Sequence, residues 1–220
     1  MNVTQALKAR VSTRAFLDTP VPKETLRAIF ESAQLSPSNC NVQPWQPYIV
    51  TGKKKDRLSQ ELLAHFHAGD EATPDFNWPI YYEGIHKERQ FGAAYALYDA
   101  LDIARDDRPS RKTVAARNWT FFDAPYVVFF VMEKYLNIMG AVDIGIYAQS
   151  LSLLLAEHGL ASCMQGSLSQ YPEPIRKILE LPDSQGILFG MSFGYSDPDA
   201  VVNTARTARE AIDNSVVFIE

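Results

Sequence analysis

The chain has 220 residues and a mass of 24.7 kDa, enough for one closed apolar core, and 46% apolar against 21% charged residues excludes a disordered chain. Lys and Arg number 21 against 26 Asp and Glu, and the resulting net charge of −5 repels phosphodiester backbones and anionic lipid, so nucleic acid and membrane are excluded as main partners. Two cysteines, Cys40 and Cys163, are too few for a disulfide scaffold and lack zinc-site spacing, and no apolar export signal opens the chain; a single domain over 1–220 in the cytoplasm is expected.

Asn2 can cap a first helix running to Arg10. Val21-Pro22 starts a second, with Leu26, Ile29, Phe30 and Ala33 on one face and an end at Pro37. A strand is expected over 45–50, then a helix carrying Leu58, Leu62 and Phe66. The loop from Pro74 to Gly84 is rich in aromatics (Phe76, Trp78, Tyr81, Tyr82), as suits a cover over a pocket or a partner subunit. Phe91, Ala94, Tyr95, Tyr98 and Leu101 repeat a helical stripe, and Arg105 to Lys112 is a polar stretch. Tyr126 to Val131 reads as a strand buried on both faces. Ile138 to Leu160 is apolar but interrupted by Asp143, Gln149, Glu157 and His158, which favours a core helix over a membrane span, with Gly159 as its C′ residue. A short helix over 172–179, a strand over 187–195 and a terminal strand over 216–219 complete an α+β pattern without βαβ alternation.

Dinucleotide and phosphate-loop glycine motifs, metal-binding helices and paired catalytic carboxylates do not stand out. Arg10-Val11-Ser12-Thr13-Arg14 does. Alternate residues of an extended segment share a side, so Arg10, Ser12 and Arg14 can converge on one anion; a solvated basic turn is the plain alternative. Ser36 to Trp45 places small polar groups between prolines at the end of a helix, either to present amides to a heterocycle or simply to cap a turn.

Taken together, RxSxR at Arg10, Ser12 and Arg14, SPSxxNxQPW over 36–45, Ala148-Gln149, Gln165-Gly166 and the arm GYSDPDAVVNTARTAR over 194–209 resemble the FMN-dependent nitroreductase family over nearly the whole chain. The resemblance implies a central, mainly antiparallel sheet flanked by helices, in an intertwined homodimer with FMN at the interface. It implies that Arg10, Ser12, Arg14 and Arg206 or Arg209 hold the FMN phosphate. Pro37, Ser38 and Asn39 would lie along the ring, Asn41 at its ribityl chain or edge, and Gln149 and Gln165 across from them, with the Gln165 N–H, beside Gly166, on flavin N5. NADH or NADPH would donate hydride for a nitroaromatic or quinone acceptor, the flavin carrying the chemistry with no catalytic side chain. Dehalogenation or dehydrogenation on the same scaffold, or flavin binding without turnover, are the rival readings. Tyr82 and Phe122 are the expected substrate-pocket aromatics, Cys163 is expected as a core residue, and residues 216–219 are expected to join the partner's sheet.

Overall fold

A computed structural model describes residues 1–77 and 81–220, so Trp78 lies outside the described residues. Four antiparallel strands form the middle layer: β1 (Gln46–Thr51), β2 (Tyr126–Glu133), β3 (Ala161–Gln165) and β4 (Gln185–Gly194), in the spatial order β1-β2-β4-β3. Strand β2 shows why the sheet is covered twice. Val128, Phe130 and Met132 enter one apolar cluster, while the alternate residues Val127, Phe129 and Val131 enter another, and all six are buried.

Helices α2 (Lys23–Ala33) and α6 (Asn137–Glu157) close the first face through Ile29, Ala33, Ile144, Tyr147, Leu151 and Leu155. Helices α3 (Gly52–Ala68) and α7 (Pro172–Leu179) close the second through Leu58, Leu62 and Ile175. Three more helices, α1 (Val3–Ala9), α4 (Gly84–Ala100) and α5 (Arg108–Ala116), lie outside these layers. The α6 segment is long and apolar enough to cross a membrane by length and composition, yet here it is a core helix with eight of its residues buried. Gly159, at φ +72°, ends it: the Leu160 N–H bonds Leu155 O and the Gly159 N–H bonds Ala156 O, the paired closure that a left-handed C′ residue allows.

Several expectations need correction. The second helix ends at Ala33, before Pro37, and the first at Ala9. The polar stretch over 105–112 contains the start of α5, because the Asp107 side chain accepts from the Ser110 N–H and Pro109 fits the first turn. Strand β3 was not expected at all; Ala-Ser-Cys-Met-Gln is short and lacks β-branched residues. The stripe of α4 is helical but buries none of its residues. The aromatic loop divides: Phe76 packs on the first cluster, whereas Tyr81 is 91% and Tyr82 49% exposed. Residues 216–219 form no strand within their own chain, and Ile219 is 93% exposed.

Gly190 lets the segment after β3 lie close on the sheet. A Cβ there would stand 2.6 Å from Leu168 Cδ1 and 3.3 Å from Val128 O. Gly190→Val is expected to destabilise the fold by about 1–3 kcal/mol through overpacking, read as a lower denaturation midpoint in urea.

Candidate functional site

The segment after α1 runs along the open edge of β3. Ser12 bridges Ser162 in parallel fashion, and the Thr13 N–H donates to Ser162 O at 3.1 Å. Thr13 is buried, which leaves its neighbours Ser12 and Arg14 on the accessible side. The arm is fastened to this same segment by one side chain. Asn203 Oδ1 accepts from the N–H groups of Arg14 (2.8 Å) and Ala15 (3.1 Å), and its Nδ2 donates to Ala15 O and Asp197 O at 2.9 Å each.

As a result, the two basic clusters that lie almost 200 residues apart share one cavity of about 270 Å³, lined by Arg10, Ser12, Arg14, Arg206 and Arg209 with Lys8, and by Ala93 and Leu97 of α4. Among the described residues none of the four guanidinium groups pairs with a carboxylate. Arg14, Arg206 and Arg209 reach only carbonyls and a hydroxyl of their own segments. Glu210, next along the arm, is taken by Asn214 at 2.7 Å and Arg89 at 2.6 Å, and these bonds, that of Asn214 foremost, hold its carboxyl below the usual range. A carboxylate-free pocket with four guanidinium groups and a lysine suits a multiply charged anion, and guanidinium geometry suits phosphate. Both Arg206 and Arg209 line it. A wider cavity of about 810 Å³ beside the start of α3 presents Asp18, Asp56 and Asp123 together with Lys55, an unsuitable lining for an anion.

Beneath the arginines sits Cys163, buried with Phe16, Phe122 and Ala124 as a core residue. Burial pushes its thiol up to about 11, against the pull of Arg14 and Arg10 and a contact with Ser12.

Further along β3, strand parity decides which N–H groups face outward. In a strand the N–H and C=O of one residue point to the same side, and the side alternates with each residue. Ser162 turns its carbonyl out to Thr13, so Met164 and Gly166 also turn their N–H groups to the open edge, whereas Gln165 turns inward and pairs with Gly190. The Gln165 side chain is likewise engaged: Oε1 accepts from Ser192 Oγ, and Nε2 donates to Asn118 O at 2.9 Å. The outward N–H at this corner is that of Gly166.

The loop after α2 lies elsewhere. Asp143, buried on α6, accepts the Asn39 N–H with both oxygens at 3.1 and 3.2 Å, and Ser38 Oγ accepts the Gln43 N–H at 2.9 Å. These bonds hold Cys40, Asn41 and Gln43 at positive φ and leave Asn39 and Asn41 exposed. Pro37 lines a separate cavity with Leu35 and Leu154, and none of Pro37, Ser38, Asn39 or Asn41 lines the arginine cavity of its own chain. Gln149 is half-buried and continues the exposed stripe of α6 formed by Ile138, Val142 and Ile146. Tyr82 and Phe122 are not brought together either. Phe122 is buried and lines a mainly apolar cavity of about 340 Å³ with Arg14 and Val202, and Tyr82 does not. Asn203 and Asn118 escaped the sequence reading, because an asparagine in a loop carries no signal of what it will reach.

A model of the nitroreductase family matches residues 7–195. Nitroreductase NfnB of Mycolicibacterium smegmatis is 38% identical over 213 residues, covering 96% of this chain and 90% of that protein. A 4-nitrobenzoate reductase of Pseudomonas putida is 36% identical over 211 residues, 96% and 92% of the two chains. Among solved structures, the FMN-dependent nitroreductase NfnB from Mycobacterium smegmatis in complex with NADPH superposes with a TM-score of 0.93 at 37% identity over 100% of both chains. The FMN and NADPH-dependent NfnB from sphigopyxis sp. strain HMH gives 0.94 at 34%, again over 100% of both.

The raised thiol carries a testable sign. The fold favours the neutral form, so this contribution is complete below about pH 9, the thiol's ordinary value, and is lost as pH rises toward 11. In a Cys40→Ser variant at pH 8, a thiol reagent is expected to find nothing reactive in the native protein and one thiol after denaturation.

Proposed function

The chain belongs to the nitroreductase family, and on that footing we propose that it is an FMN-dependent oxidoreductase, one domain over 1–220, acting as a cytoplasmic homodimer on small nitroaromatic or quinone acceptors. The observation that carries the reading is the pocket of Arg10, Ser12, Arg14, Arg206 and Arg209, four guanidinium groups without a carboxylate in an acidic protein. These residues would hold a terminal phosphate. The Gly166 N–H, on the open edge of β3, is the group offered to flavin N5 in place of the Gln165 N–H.

FMN, held by these residues, would supply reversible hydride chemistry at N5 between NAD(P)H and the acceptor, in two half-reactions that share one pocket. The protein's part is to bind and orient, and no side chain of the site is needed as a general acid, since water can deliver protons to the product.

A dimer follows from what one chain leaves unfinished. Pro37, Ser38, Asn39 and Asn41 are displayed away from the arginines of their own chain, and Gln149 lies on an α6 face whose Ile138, Met139, Val142 and Ile146 are exposed. A second copy packed on that face would bring its loop to the first copy's flavin. Val216 to Ile219, exposed in the isolated chain, would cross to the partner's sheet, which would remove their apolar surface from water. Tyr82, exposed before α4, would reach the partner's acceptor pocket, whereas buried Phe122 would shape its floor. Two free thiols suit a reducing compartment.

The protein is expected to release FMN, not FAD, on heating, and its yellow colour to bleach anaerobically with NADPH or NADH and return with a nitroaromatic or quinone. Release of FAD, or a failure to take up any flavin, would overturn the reading. Arg14→Ala removes charge-assisted bonds worth ~1.5–3 kcal/mol each, and FMN affinity is expected to fall at least tenfold by equilibrium dialysis.

Light scattering is expected to give a dimer. Removing residues 210–220 should yield monomer or aggregate and a lower ratio of flavin to protein absorbance. A truncated, flavin-saturated dimer would show that the tail only packs locally.

A further inference from the structure

The corner between β3 and the following turn is gripped by a residue outside every motif of the sequence. Asn118, half-buried after α5, accepts at Oδ1 from Ser167 Oγ (3.0 Å) and Gln165 Nε2 (3.3 Å), and its carbonyl accepts from the same Gln165 Nε2 at 2.9 Å. Asn118 Nδ2 is tied back to Ala115 O at 3.0 Å. Gln165 and Ser167 flank Gly166, so one side chain holds both neighbours of the outward N–H.

The element that carries Asn118 is itself over-determined. Phe121, Phe122 and Asp123 follow with φ of +58°, +54° and +63°, three consecutive non-glycine residues in a region that L side chains rarely adopt. They stay there because the two rings are buried in different apolar clusters and because Arg117 closes the turn twice. Its carbonyl accepts the Phe122 N–H at 3.0 Å and its guanidinium pairs with Asp123 at 2.9 Å. Such strain persists only where surrounding contacts leave no alternative, and it clusters at positions whose geometry matters. A rigid turn on one side and the buried Ser192 hydroxyl on the other clamp Gln165 between them.

Resting on the flavin reading above, we propose that Asn118 is a positioning residue: through Gln165 and Ser167 it fixes the direction of the Gly166 N–H, and with it the alignment of the ring for hydride transfer, without touching the cofactor. Toward Gln165 and Ser167 it acts only as an acceptor. Aspartate therefore keeps the acceptor contacts to Gln165 and Ser167 while giving up the Nδ2 bond to Ala115 O, and alanine removes the whole side-chain part.

The test compares wild-type holoenzyme with Asn118→Ala and Asn118→Asp. In the alanine variant the rate constant for flavin reduction by saturating NADPH, measured by anaerobic stopped flow, is expected to fall at least tenfold, a loss typical of small misplacements of reacting groups. FMN affinity is expected to stay within about threefold, and aspartate to restore the rate to within about threefold of wild type. Amide exchange over residues 164–169 of the same holoproteins is expected to quicken in the alanine variant and to remain near wild type in the aspartate one. Ser167→Ala removes a single bond from the corner and is expected to show both effects in smaller measure, which keeps the test decisive if Asn118→Ala fails to fold. Unchanged exchange would overturn the brace. Quickened exchange with an unchanged reduction rate would overturn the positioning role, and FMN loss in step with the rate would reassign Asn118 to binding. A wild-type protein that takes up no FMN would overturn the flavin reading, whereas the exchange measurement reports on the brace by itself.

Discussion

Where four arginines meet is decided by an uncharged side chain. Asn203 binds the backbone of Arg14 and Ala15 from the arm, and so converts two distant stretches of chain into the walls of one pocket. Like charges gathered in this way repel one another, and the fold must supply the force that gathers them. Neutral hydrogen bonds suit that purpose, because they are insensitive to salt and do not cancel the positive field that the pocket presents to an anion. A carboxylate in the same position would lose the bonds that Nδ2 donates to Ala15 O and Asp197 O, and would quench the pocket as well. Glu210, the nearest acid along the arm, is turned to Arg89 and Asn214.

The interior was legible in the sequence wherever periodicity was strong. Tyr126 to Val131, β-branched or aromatic throughout, announced a strand covered on both sides, and the apolar run from Ile138 to Leu160 announced the helix that covers it. The RxSxR segment stood out as clustered charge in an acidic chain, and the fold brings Arg10, Ser12, Arg14, Arg206 and Arg209 to one cavity. Three things were hidden. Strand β3 takes its stability from its neighbour β4 and from the Ser12 edge, not from its own composition. The choice between the N–H of Gln165 and that of Gly166 depends on strand parity, which a sequence motif does not encode. Asn118 and Asn203 act through tertiary hydrogen bonds that no local pattern foretells.

Helix α6 shows how one element serves two environments. Its inner side carries Ile144, Tyr147, Leu151 and Leu155 into the core, and buried Asp143 reaches across to hold the loop after α2. Its outer side keeps Ile138, Val142 and Ile146 in the open. Apolar residues on both sides give the segment a composition that resembles that of a membrane span. The loop that Asp143 holds is thereby displayed on the same flank as that outer stripe.

The alternation of N–H groups along β3 bears on how this stretch of chain can vary in length. Ser162 turns outward to meet Thr13, and the proposed N–H donor, Gly166, lies four residues later. Insertion or deletion of a single residue between them would leave the sheet able to form while reversing the corner, presenting a carbonyl oxygen where an N–H had been. Changes by pairs would keep the polarity and displace it by about 7 Å along the strand. The spacing from Ser162 to Gly166 is thus constrained in number as well as in kind, and insertions compatible with the site belong in the outer loops.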